Sequence, residues 1–83
     1  MKAYVARDKD GWLQLFRYQP ERNEALSLWY DADAPVLHYI EEDEYEEGYF
    51  KEVTWEGGPL ECDYWVDPDD GTYYVTLKKG DQP

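Results

Sequence analysis

Leu60-Glu61-Cys62-Asp63-Tyr64-Trp65-Val66, followed by Asp67-Pro68-Asp69-Asp70-Gly71 and Thr72-Tyr73-Tyr74-Val75-Thr76-Leu77, is the stretch that decides the fold. Apolar and acidic residues alternate from Leu60 to Tyr64, the two-residue period of a strand with one face buried and one in water. The Asp-Pro-Asp-Asp-Gly segment carries turn residues at every position, and Thr72–Leu77 is rich in β-branched and aromatic side chains. The pattern predicts two strands joined by a tight turn. On this register Cys62 faces inward with Leu60 and Tyr64.

The same grammar extends towards the N-terminus. Tyr4-Val5-Ala6 and Trp12-Leu13-Gln14-Leu15-Phe16-Arg17-Tyr18 flank Asp10-Gly11, a hairpin signal, because glycine accepts a positive φ at little cost. Gln19-Pro20-Glu21-Arg22-Asn23-Glu24 is polar and contains proline, which predicts a loop before a third strand over Leu26–Tyr30. Val36-Leu37-His38-Tyr39-Ile40 reads as a strand from its β-branched and aromatic content. Glu41 to Glu47 reads as a short helical turn stopped near Gly48. Val53-Thr54-Trp55 reads as a short extended piece before the Gly57-Gly58-Pro59 turn, and Lys78 to Pro83 as a frayed tail. The expected class is all-β, or α+β if the single helical turn is counted. The expected architecture is an antiparallel sheet of five or six strands, curled or partly closed around aromatic side chains.

The 83 residues are expected to form one domain, residues 1–83. Hydrophobic residues make up 42% and aromatic residues 18%, with nine Tyr, four Trp and two Phe, so a small core can bury much area with few side chains. That aromatic load outweighs the disorder that a net charge of −12 would otherwise suggest. Cys62 is the single cysteine, which rules out an intramolecular disulfide and any zinc site needing two thiolates from one chain. The opening residues lack the apolar run of a signal peptide, and no stretch approaches the roughly 20 apolar residues of a membrane span. The expected location is the cytoplasm, with no membrane partner.

Charge is unevenly spread along the chain. Residues 31–70 contain fifteen acids and the single base Lys51, a net −14, whereas the rest of the chain is net +2. Two readings of this asymmetry stand side by side. An acidic face keeps an aromatic-rich β protein soluble and discourages edge-to-edge association. It can equally be a surface shaped for a basic partner: B-DNA carries about one charge per 1.7 Å of axis, so −12 matches roughly 20 Å of duplex. The same charge opposes direct binding to nucleic acid. On the second reading, Glu41, Glu42, Asp43, Glu44, Glu46 and Glu47 meet Lys and Arg of the partner, with Tyr45, Tyr49 and Trp55 as aromatic anchors.

The remaining chemistry is weak. Asp8-x-Asp10-Gly11 and Asp67-x-Asp69-Asp70-Gly71 resemble calcium loops only faintly, because neither has the glycine and glutamate spacing of an EF-hand. No carboxylate pair stands out for glycoside hydrolysis. His38, the only histidine, reads as a half-buried, hydrogen-bonded core residue. The carboxylates beside Cys62 should raise its pKa, which disfavours a nucleophile. There is no phosphate-binding glycine loop. No enzyme, metal or cofactor is expected.

Met1-Lys2-Ala3-Tyr4-Val5-Ala6-Arg7-Asp8-Lys9-Asp10-Gly11 and Phe50-Lys51-Glu52-Val53-Thr54-Trp55-Glu56-Gly57-Gly58-Pro59-Leu60-Glu61 resemble segments of a loose group of short proteins from gut bacteria and their phages, to which no activity is attached. The likeness covers these two regions, with Trp29 between them, and departs over Glu41–Glu47 and 72–79. It implies a phage or prophage accessory protein, a setting in which small acidic inhibitors of host defence are common. The first functional expectation is therefore an inhibitor or adaptor that occludes a basic nucleic-acid-binding groove, such as that of a host defence nuclease, by charge mimicry. The alternatives are an oligomeric small-ligand binder with an aromatic pocket, for which edge pairing would make a homodimer, and a structural accessory whose acidity serves solubility alone.

Overall fold

The computed structural model describes residues 1–78 and is nearly all β. Seven strands follow in chain order: β1 (Lys2–Arg7), β2 (Leu13–Phe16), β3 (Glu21–Asn23), β4 (Leu28–Tyr30), β5 (Val36–Ile40), β6 (Leu60–Val66) and β7 (Tyr73–Leu77). Five form a curled antiparallel sheet, a half-barrel, in the order β5-β2-β1-β6-β7. The expected five-strand sheet is therefore present. The 78–83 tail falls outside the described residues beyond Lys78.

Both predicted hairpins form. Gly11 and Gly71 take positive φ, +104° and +77°, which glycine adopts without a Cβ clash. In the second turn Asp67 accepts from the Asp69 amide at 2.8 Å and Asp70 from the Thr72 amide at 2.8 Å. These carboxylates cap their own backbone, which accounts for the calcium-like spacing as turn chemistry.

Gln19–Glu24 is not wholly a loop. Its Glu21–Asn23 portion is β3, which pairs with β4 as a separate two-stranded ribbon. The third strand is shorter than Leu26–Tyr30, because Leu26 lies in the connecting turn, where its amide donates to Asn23 Oδ1 and Ser27 has φ +59°. The ribbon lies against the outer face of the sheet. The Trp29 amide donates to Asp8 Oδ1 at 2.9 Å and its indole to the Arg7 carbonyl at 3.0 Å. Trp29, Trp55, Phe16 and Ala6 form one core cluster, with the Arg22 guanidinium stacked 4.9 Å from the Trp29 ring and 4.3 Å from the Trp55 ring. A polar strand was hidden in the sequence because its one inward group, Arg22, stacks on tryptophans instead of being apolar.

Val53 and Thr54 join no strand, and the turn that follows them spans Trp55 to Gly57: Thr54 Oγ1 accepts from the Gly57 amide, and the Gly58 amide reaches the Thr54 carbonyl.

The inner, concave face holds the larger core: Ala3 and Val5 from β1, Leu13 and Leu15 from β2, Ile40 from β5, Cys62 from β6, and Val75 and Leu77 from β7. Cys62 is fully buried, as the alternation required. Burial first, and the Asp63 and Glu61 charges second, push its thiol up to about 11, so almost no thiolate exists at neutral pH. Among the described residues, no helix is long and apolar enough to cross a membrane.

Candidate functional site

The acidic segment 41–52 crosses the open side of the half-barrel, and its apolar residues explain how it stays there. Phe50 is 3% exposed and enters the inner core, where Val53 is also fully buried. The Tyr45 and Tyr49 rings meet Phe50 edge-on, with centroids 4.9 and 4.8 Å away. Arg7 of β1 clamps the backbone behind it, donating from Nε to the Val53 carbonyl at 2.7 Å and from Nη2 to the Phe50 carbonyl at 3.1 Å. The predicted helical turn is a single 3-10 turn, Glu42–Glu44, and Gly48 at φ +86° reverses the chain beyond it.

Glu44 joins this turn to both outer strands. Its Oε1 accepts from the Glu41 amide at 2.8 Å and from the Tyr73 hydroxyl of β7 at 3.2 Å, and lies 3.3 Å from His38 Nε2 of β5. The His38 and Tyr73 rings pack with centroids 4.1 Å apart, so side chains bridge the two outer strands of the curled sheet. The Glu41 amide, with lesser help from His38 and Tyr73, holds the Glu44 carboxyl below its usual range against a smaller opposing effect of desolvation. Burial, reinforced by the Glu44 charge, pushes the Tyr73 hydroxyl above the ordinary tyrosine value, so it stays a protonated donor. His38 is half-buried and hydrogen-bonded, as its sequence context suggested.

The other acids of the turn point outward. Glu41, Glu42, Asp43, Glu46 and Glu47 are exposed, and among the described residues none lies within 4 Å of a Lys or Arg nitrogen. Several clefts border them. One, about 470 Å³, is lined by Glu42 and Glu47 with Arg7 and Lys51; another, about 430 Å³, lies between Glu44, Glu46 and Tyr49 and the β7 strand. No group of three or more metal-ligating side chains occurs among the described residues. What this surface can do chemically is accept hydrogen bonds and charge from ammonium or guanidinium groups.

The structure thus brings together eight of the nine residues expected to bind a partner: Glu41, Glu42, Asp43, Glu44, Tyr45, Glu46, Glu47 and Tyr49. Trp55 stands apart. It is 9% exposed, set edge-on to Trp29 at 5.5 Å and covered by Arg22, so it is a core residue and presents no ring to a partner. Of the two remaining anchors, Tyr45 is half-buried and Tyr49 is exposed, although the Tyr49 hydroxyl donates to the Val75 carbonyl at 2.7 Å. Sequence reasoning missed Arg7, which together with Phe50 holds the turn, and the Trp65–Tyr74 pair. That pair stacks across β6 and β7 at 5.2 Å with both rings about half exposed. The break in alternation at Trp65 was its only sequence signal.

Comparison with protein-family models, with curated proteins and with solved structures gave no match.

Proposed function

We propose that this protein is an acidic protein-binding module whose Glu41–Glu47 turn docks on a basic surface of a partner protein. The observation that carries the reading is the turn itself: five exposed carboxylates with no Lys or Arg partner among the described residues, held on a loop that Phe50 and Arg7 fix to the core. Acids serving solubility alone need no such anchoring, whereas a preformed charged surface loses little entropy on binding. The finer form of the proposal is an inhibitor that occludes a nucleic-acid-binding groove, in keeping with a phage or prophage accessory role. The molecule measures 40 × 33 × 25 Å and carries a net −12, the charge of roughly 20 Å of duplex. A field of this strength speeds encounter with a basic cleft and makes the complex salt-sensitive.

The test compares the wild-type protein with a variant combining E41Q, E42Q, D43N, E46Q and E47Q, leaving Glu44 intact. Each is used as bait in a host lysate at low and high salt, with captured proteins identified by mass. The expected result is a basic nucleic-acid enzyme held by the wild type at low salt, released at high salt and absent from the variant. At roughly 0.2–1 kcal/mol per exposed ion pair, losing five of them costs about 1–5 kcal/mol, or roughly fivefold to a few thousandfold in affinity. A partner retained equally by both proteins at both salts would refute the reading.

A further inference from the structure

Strand β7 is the outermost strand on one side of the sheet, and the ladder fixes which of its backbone groups are free. The Lys78 amide donates to the Glu61 carbonyl at 3.0 Å and the Asp67 amide to the Thr72 carbonyl at 2.7 Å. Bonded and non-bonded pairs alternate in an antiparallel ladder, so Asp63–Thr76 and Trp65–Tyr74 are the bonded pairs between them. Tyr73 and Val75 therefore turn their N–H and C=O groups away from β6, along the open edge. Among the described residues, the one group hydrogen-bonded to these is the Tyr49 hydroxyl, which donates to the Val75 carbonyl. A side chain there stands where the N–H of a neighbouring strand would stand.

The space beside this edge is the 430 Å³ cleft. Glu44 and Glu46 line it together with Tyr45 and Tyr49, and its lining contains no basic residue. Tyr74, half exposed and stacked on Trp65, also borders it. Open edges of this kind recruit extended segments, whose main chain supplies affinity and whose alternate side chains supply specificity.

We propose that the β7 edge takes an extended basic segment of the partner protein as an added strand, displacing the Tyr49 hydroxyl from Val75. This rests on the acidic-surface reading above and names the partner's form. Side chains of one parity would be lysines or arginines, running their stems past Tyr45 and Tyr49 to reach Glu44 and Glu46. Side chains of the other parity would lie beside Tyr74. Charge selects this occupant over a second copy of the chain, because Tyr73–Leu77 carries no cation to offer Glu44 and Glu46, and two copies of net charge −12 repel.

The test uses the full-length protein and a capped hexapeptide of alternating lysine and valine in three forms: unmodified, N-methylated at the lysines, and N-methylated at the valines. Binding is followed by fluorescence anisotropy, and exchange of the Tyr73 and Val75 amides by NMR. The expected result is that one methylated form binds like the unmodified peptide and the other at least about tenfold more weakly, since only one parity of N–H faces β7. Slowed exchange at Val75 should accompany binding. Equal, salt-sensitive binding of all three peptides would overturn strand addition while leaving the acidic-surface reading in place. Failure of every form to bind at low salt would overturn both. A doubled mass with the Tyr73 and Val75 amides already slow in the free protein would give the edge to a second copy and overturn the proposal.

Discussion

Phe50→Ala probes the link between core and acidic turn most directly. Phe50 is 3% exposed and is flanked edge-on by Tyr45 and Tyr49 on the loop it anchors. Phe-to-Ala changes in cores cost about 3–5 kcal/mol in transfer and cavity terms together. The two tyrosines are only partly buried and can relax into the space, which places the expected loss at about 3–4 kcal/mol. For 83 residues the total stability is on the order of 4–12 kcal/mol, so the substitution removes a large fraction of it. The assay is urea unfolding followed by tryptophan fluorescence, for which the buried Trp29 and Trp55 serve as reporters. With a slope of about 1 kcal/mol per molar urea for a chain this small, the midpoint should fall by about 3–4 M. Phe50→Leu keeps most of the volume and should cost less than about 1.5 kcal/mol, so a graded series remains measurable if the alanine variant unfolds. A loss below about 1 kcal/mol for Phe50→Ala would refute the view that this ring fixes the turn to the core.

Two further outcomes follow from side chains on either side of the sheet. Arg22→Ala removes a guanidinium stacked on Trp29 and Trp55 and its hydrogen bond to the Trp55 carbonyl, and should cost about 1–3 kcal/mol in the same urea assay; Arg22→Lys should recover less than half of that, because an ammonium cannot stack as a plane. Glu44 titrates below its ordinary 4.5, so its stabilising contribution is fully present above that value and is lost as the pH falls through its lowered value. Unfolding measured from pH 7 downwards should therefore show wild type more stable than Glu44→Gln at neutral pH, with the gap closing below about pH 4.5; a gap independent of pH would refute the role of the Glu44 charge.

Much of the architecture was legible in local sequence because local physics decides it. Alternation over Leu60–Tyr64 placed Cys62 in the core, since a strand offers one face to the interior and the side-chain period is two. Gly11 and Gly71 marked the hairpins because few other residues accept their φ. The acidic turn between Glu41 and Gly48 was visible because glutamate favours helix and glycine ends one, and its concentration of acids can be read directly from the chain. Other features depend on residues far apart in the chain, and no local pattern encodes them. Arg22 made Glu21–Asn23 a strand by reaching Trp55, 33 residues away. Trp55 left the candidate surface for the same contact. Glu44 found its Tyr73 partner 29 residues on, and Arg7 found the Phe50 carbonyl 43 residues on, because the sheet curls its outer strands towards each other. Which edge stays open, and which carboxylates border it, are consequences of that closure, since a strand's own sequence sets which faces it has but only its neighbours in space settle which of them remain uncovered.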